Sequence, residues 1–245
     1  MNQRLIGTIG EICRYPVKSF AGESLRQCRV EAYGLYGDRC RAFVDRSKEG
    51  WDRYVTARQY PGMLGYKAEL VGEGSGTAFP ELRVTSPDGR VLRWDEALRD
   101  ELQPHFRAEL SMLACEPGQP DLMAVDEGSV LIVTDVSLRK LERLWGKRLD
   151  PRRFRANLIV SPTDEAADET GWIGKTLIAG DAELQVEAAC ERCSMITIDP
   201  DRLERDASLL RIVNEMLDLN FGVYASVRKT GFLRAGDPVY MAGTG

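Results

Sequence analysis

The chain has 245 residues, of which 43% are hydrophobic and 29% charged. Those proportions belong to a soluble globular protein, with length for one large domain or two small ones. A net charge of −5 lacks the basic footprint that phosphate neutralisation needs, which argues against general nucleic-acid binding. No apolar run reaches the roughly 18–20 residues of a membrane helix, and Met1 to Gly7 holds no signal-peptide hydrophobic region. A cytoplasmic protein without a membrane segment is therefore expected. A single histidine, His105, excludes sites built on several imidazole ligands. It follows Pro104, and is expected to be a surface or packing residue.

In chain order, residues 4–14 read as a strand that exits at Tyr15-Pro16-Val17-Lys18-Ser19. On spacing alone Lys18 and Ser19 are a solvated turn. Residues 24–31 form a second strand, 32–39 a turn with two glycines and Asp38, and 40–45 a third strand with Arg39 at its mouth. The β pattern resumes over 54–59, breaks at Pro61-Gly62, and returns over 65–70. Pro87-Asp88-Gly89 predicts a hairpin between 81–86 and 90–94. Up to about residue 95 the chain is nearly all short strands, the spacing of a small barrel or sandwich.

Leu98, Leu102, Phe106 and Leu110 then fall at helical spacing within 95–112, with Pro104 as a break, and a boundary is expected near residue 99. Residues 130–133 are a strand. Leu138, Leu141, Leu144 and Trp145 form the apolar stripe of a helix that stops at Gly146. Arg152, Arg153 and Arg155 cluster just before a strand ending at Val160, and 161–170 is an acidic loop. One further strand precedes the cysteine stretch. A helix is expected over 203–219, a strand over 220–227, and a turn at Gly236-Asp237-Pro238 leads into a last strand.

Of six cysteines only Cys190 and Cys193 are closely spaced, so a disulfide framework is not expected. Cys190-Glu191-Arg192-Cys193 lies between two apolar, partly β-branched flanks, at the expected junction of two strands. Arg192 favours the thiolate of its neighbour. A zinc site wants two more ligands, and no second cysteine pair exists. A thioredoxin-like dithiol wants a helix N-terminus at its first cysteine, where a strand is expected. The pair is left as inert core, as a single reactive thiolate, or as a one-cysteine ligand to a metal otherwise held by a cofactor. Lys18, Arg39, Arg155 and Arg192 all sit at strand ends. Brought together, they would make an anion pocket beside Cys193 that suits a phosphorylated cofactor.

Six motifs occur in one order: Tyr15-Pro16-Val17-Lys18-Ser19, Gly37-Asp38-Arg39, Val55-Thr56-Ala57-Arg58-Gln59, Phe154-Arg155-Ala156-Asn157, Cys190-Glu191-Arg192-Cys193 with Asp199-Pro200, and Gly236-Asp237-Pro238-Val239. Together they resemble the MOSC family, named for the C-terminal domain of molybdenum cofactor sulfurase. Within it they are similar to the branch of the mitochondrial amidoxime-reducing component and its bacterial relatives. The resemblance spans nearly the whole chain. It implies a mainly β fold with flanking helices (α+β): a β-barrel MOSC domain over 100–245, preceded by a smaller β-rich N-terminal region over 1–99.

The resemblance also implies a molybdenum cofactor (Mo-molybdopterin), with Cys193 as the catalytic cysteine and the thiolate ligand of the metal. Thiolate and dithiolene are matched soft donors. Lys18, Ser19, Arg39, Arg155, Asn157 and Arg192 fall where the family holds the pterin and its phosphate, and Tyr224 is a weaker carry-over of that kind. The implied reaction is a two-electron reduction of a small N-hydroxylated substrate, an amidoxime or hydroxylamine. This sequence departs from the family's Phe-Arg-Pro-Asn at Ala156, and follows Asp199-Pro200 with a charged run. Neither the ferredoxin domain of some bacterial relatives nor the targeting and anchor segment of the mitochondrial ones is expected. Electrons are thus expected from a separate ferredoxin- or cytochrome-like protein with its reductase. Two other functions fit the motifs: a sulfur carrier using a Cys193 persulfide, and a non-catalytic cofactor-binding protein. Cys190 is expected to take no part.

Overall fold

Residues 4–14 are a strand as expected, β1 (Gln3–Arg14), and both of its edges are paired. The computed structural model describes residues 3–118, 124 and 128–243. After β1 come β2 (Glu23–Leu25), β3 (Gln27–Glu31), β4 (Gly34–Leu35) and β5 (Arg41–Asp45). They are followed by β6 (Lys67–Val71), β7 (Glu81–Thr85), β8 (Val91–Arg93), α1 (Glu96–Leu102) and β9 (Leu110–Ala114). The second half holds β10 (Val130–Thr134), α2 (Asp135–Trp145), β11 (Leu158–Pro162), β12 (Thr176–Ala179) and β13 (Ala182–Glu191). It closes with α3 (Ala207–Leu217), β14 (Asn220–Lys229), β15 (Gly231–Arg234) and β16 (Pro238–Ala242).

Seven strands close on themselves in the order β1-β11-β10-β14-β13-β12-β16, with β16 returning to β1. Among these seven strands only β10 and β11 pair in parallel, joined by the crossover helix α2. All five residues of β10 are buried, and the strand pleat explains its unbroken apolar run. Val130 and Ile132 face the barrel interior with Ile12, Leu158, Val186 and Val223. Leu131 and Val133 face outward, under Leu141 of α2 and Leu209 and Val213 of α3. Thr134 caps α2 and Gly146, at φ 70, ends it as the sequence predicts.

The N-terminal region adds the pair β5–β9 and the meander β6-β7-β8, with α1 packed beside them. Its core centres on Phe20, Phe43, Met63, Leu98 and Leu102. The hairpin at residues 81–94 forms as expected.

Several segments differ from expectation. The strand over 24–31 divides at Arg26, because β2 pairs with β1 while β3 pairs with β15 and β4. Residues 54–59 make one bridge, Val44 to Tyr54, and then a turn that the Gln59 side chain closes by accepting from the Thr56 N–H (2.7 Å). The helical pattern over 95–112 breaks at Pro104 as expected, α1 stopping at Leu102, but it does not resume beyond the break. Gln103 accepts from the Leu110 N–H and donates to the Ala108 carbonyl (2.9 and 2.8 Å), which turns the chain into β9. The helix expected from residue 203 begins at Ala207, where Asp206 caps it through the Ser208 N–H. The apolar flank after Cys193 is a 3-10 turn, Ser194–Thr197, rather than a strand.

Candidate functional site

The loops leaving β1 and entering β5 and β11 meet the end of β13 around one cavity of about 610 Å³. Lys18, Ser19, Arg39, Arg155, Asn157 and Arg192 all line it, as do Cys193 and Tyr224. The strand ends therefore converge. Six cations and one carboxylate, Glu191, are among the lining residues, in a protein of net charge −5. Such a wall selects anions.

Local folding explains how the cations are aimed. Ser19, Arg39 and Arg155 have φ of 68°, 48° and 54°, three of the six non-glycine residues in the left-handed region among the described residues. Backbone strain of that kind collects at functional sites. Arg39 and Arg155 lie 4.9 and 4.2 Å from the ring of buried Tyr15, a cation–π arrangement that fixes both guanidinium groups. Burial, beside Cys13, pushes the Tyr15 hydroxyl above its ordinary range.

Asp38, 2% exposed, is the buried counter-charge. It accepts from the Tyr15 N–H (2.7 Å), the Asn157 amide (3.1 Å) and the Arg39 guanidinium. Asn157 uses its whole hydrogen-bonding capacity on protein: Oδ1 accepts from Leu131 N–H and Arg39, and Nδ2 donates to the Cys13 carbonyl and Asp38. It thus orders the wall from behind. Arg155 donates to the Phe20 carbonyl at 2.6 Å. Lys18 donates to the Ala124 carbonyl and lies 4.6 Å from the ring of Trp51, which is 48% exposed.

Arg192 is 8% exposed and donates to the Phe221 and Phe154 carbonyls (2.6 and 3.2 Å). Its Nη2, like Ser19 Oγ, is buried without a hydrogen-bond partner. Buried polar atoms left so are costly unless a ligand satisfies them. Gly222, at φ 82, leaves room for this guanidinium, since a Cβ there would stand 3.1 Å from Nη2.

Cys193 is the exposed cysteine, and caps the 3-10 turn Ser194–Thr197 with extended backbone. Cys190 is 1% exposed in the apolar layer beneath α2 and α3. Burial pushes the thiols of Cys13, Cys28 and Cys115 up to about 11 and that of Cys40 up to about 12. Cys193 is therefore the exposed sulfur, with Cys13 half-buried and the other four buried. No group of three or more His, Cys, Asp or Glu that could hold a metal ion exists among the described residues. A metal at Cys193 would take its remaining ligands from outside the protein, and the cationic wall with its unsatisfied donors fits a phosphorylated group that brings them. His105 stacks on Tyr60 at 3.9 Å and is not a lining residue.

Motif reading reached the eight lining residues named above but not Asp38's role, nor Arg153, Arg58, Thr56 and Trp51. Arg58 and Thr56 stand inside a quoted motif, and Arg153 precedes another. Trp51 carried no signal, being one aromatic in a polar loop.

A family model described as the MOSC domain matches residues 119–240, and one described as the MOSC N-terminal beta barrel domain matches 6–113. Mitochondrial amidoxime reducing component 2 of Homo sapiens is 29% identical over 284 residues, covering 96% of this chain and 83% of the relative. Mitochondrial amidoxime-reducing component 1 of Mus musculus is 26% identical over 287 residues, covering 97% and 83%. Among solved structures, the YuaD protein of Bacillus subtilis superposes with a TM-score of 0.53 at 14% identity, covering 100% of this chain and 99% of that one, a likeness of fold.

Proposed function

Because the chain belongs to the MOSC family, whose members have molybdenum-cofactor-related functions, we propose that it is a molybdenum-cofactor oxidoreductase that reduces N-hydroxylated compounds. The observation that carries this reading is the pairing of an anion-selecting cavity with the exposed thiol of Cys193 in its wall. The relatives named as amidoxime-reducing components support the substrate class, an amidoxime or hydroxylamine.

When bound, a molybdenum cofactor supplies a two-electron redox centre able to exchange an oxygen atom with substrate. Cys193 would hold its metal through a soft sulfur donor. Arg39, Arg155, Arg192 and Lys18 would hold the phosphorylated pterin, the arginines through planar paired donors. Ser19 Oγ and Arg192 Nη2 supply donors that the protein leaves unused. Asn157 and Asp38 act one layer back, keeping Arg39 in place. Glu191 and Tyr224 are lining groups able to pass a proton. We further propose that electrons arrive from a separate ferredoxin- or cytochrome-like protein at the open side of the cavity, where Trp51 is exposed.

The test is turnover of an aryl amidoxime to the amidine with a chemically reduced viologen as donor, using protein loaded in a cofactor-producing host. Wild type and Cys190→Ser should both turn over, and Cys193→Ala should fall to the uncatalysed background. Equal activity in Cys193→Ala, or no turnover by loaded wild type, overturns the reading.

A further inference from the structure

Arg153 stands outside the set that the motifs assign, yet it is 5% exposed and lines the cavity. Its Nη1 donates to the carbonyls of Ile196 (3.2 Å) and Thr197 (3.1 Å), and its Nη2 to Asp199 Oδ2 (2.8 Å). The first two acceptors are the last carbonyls of the 3-10 turn that Cys193 caps. Arg192, adjacent to Cys193, reaches the opposite way and donates to the Phe154 carbonyl, adjacent to Arg155. The two segments thus exchange arginines, and the Phe154 ring packs on that of Phe221, centroids 4.4 Å apart.

A four-residue 3-10 turn has few bonds of its own. This one has a long Ile196 N–H to Cys193 carbonyl bond (3.3 Å), an Ile198 N–H to Met195 carbonyl bond (3.1 Å) and a Thr197 hydroxyl bond to the Ser194 carbonyl (2.7 Å). Ile196 and Thr197 are buried, so their carbonyls need donors: Arg153 supplies one to Ile196 and shares the Thr197 carbonyl with the Asp206 N–H (2.8 Å). Asp199 is in turn fixed by the Arg202 and Asp201 N–H groups (2.8 and 3.1 Å), which hold its carboxyl below the usual range.

We propose that Arg153, braced by Asp199, is a positioning residue that holds the Cys193 turn in one conformation, so that the Cys193 sulfur and the Arg155 guanidinium keep one mutual arrangement. The inference rests on the reading of Cys193 as the functional thiolate. Lysine cannot replace arginine here, because one ammonium cannot span acceptors that two guanidinium nitrogens reach.

The test uses full-length protein from a host that makes no cofactor, as wild type, Arg153→Lys, Arg153→Met and Asp199→Asn. Iodoacetamide labelling is followed cysteine by cysteine by peptide mass spectrometry. Cys193 should react about tenfold faster in Arg153→Met, the scale of one lost charge-assisted hydrogen bond, and by a smaller factor in Arg153→Lys and Asp199→Asn. Cys28, Cys40 and Cys115 should stay as slow as in wild type. An unchanged Cys193 rate in the folded variants overturns the proposal, and so does an equal rise at every buried cysteine, which would mean general loosening. Should Arg153→Met not fold, the other two variants carry the same comparison. In cofactor-loaded protein, Arg153→Lys should also broaden the molybdenum paramagnetic-resonance line shape. Wild type that takes up no molybdenum would defeat the functional reading, while the labelling rates would still decide the clasp.

Discussion

Asn157 and Asp38 are a buried pair that orders one wall of the cavity from behind. They stand 119 positions apart in sequence and 3.1 Å apart in space. Between them they bind the backbone at Cys13, Tyr15 and Leu131 and the guanidinium of Arg39. Asp38→Asn keeps the shape but would turn a donor toward the Arg39 and Asn157 donors. Breaking a buried ion pair costs about 3–5 kcal/mol, and a loss of at least about 3 kcal/mol is expected from urea unfolding, with weakened cofactor retention. A loss under about 1 kcal/mol with normal retention would show that Arg39 is held by other means. The motif around Gly37-Asp38-Arg39 was legible in the sequence, but the division of labour inside it was not. Which member faces the cavity is decided by barrel closure, which no local pattern encodes.

At the scale of elements, period and punctuation read well where one segment makes its own structure. The stripe and terminal glycine of α2 and the Pro87-Asp88-Gly89 hairpin are examples. They failed where a side chain from elsewhere in the local sequence overrides propensity. Gln103 turns the chain into β9 where the helical pattern ran on, and Gln59 folds back residues 56–59.

The junction of α2 and α3 gives a direct test of element-level energetics. Asp206 caps α3 and also accepts from Lys147 just past α2 (2.5 Å), while Trp145 donates to Ser208 (2.9 Å). The Lys147 ammonium, then Ser208, hold the Asp206 carboxyl well below its ordinary range. A depressed carboxyl contributes stability above its unfolded pKa and loses it as pH falls toward the folded one. The pair is solvent-exposed, so screening reduces its share, and the cap itself is worth about 1 kcal/mol. Asp206→Ala should therefore be less stable than wild type by about 1 kcal/mol at pH 7. The gap should begin to narrow as pH falls through about 4 and go on narrowing below it. A gap independent of pH would mean that the charge contributes nothing.

For the whole molecule, the barrel and the N-terminal region share their supports. β1 belongs to the first hundred residues but closes the barrel between β11 and β16. Ile196 packs beneath α2 and α3, whereas Ile198, two residues on, packs in the core of Phe20 and Met63. The Cys193 turn is thus held between both parts, and residues 1–99 and 100–245 are proposed as two regions of one cooperative unit. Residues 100–245 expressed alone should show no cooperative unfolding transition, and the full chain should show one. A fragment that melts cooperatively would make the second region independent. The mainly β architecture was legible in the sequence from strand spacing and motif order, but β1's place in the barrel was not, because its partners lie about 150 and 230 residues away.

A molybdenum cofactor held through Cys193 would leave its metal bound to the purified protein. The most direct measurement is molybdenum content by inductively coupled plasma mass spectrometry, for wild type and Cys193→Ala purified from a cofactor-producing host. About one molybdenum per chain in wild type, lost in the variant, is the predicted result. No molybdenum in either protein would contradict the account, and a mass increment of one sulfur on Cys193 would then mark a persulfide carrier instead.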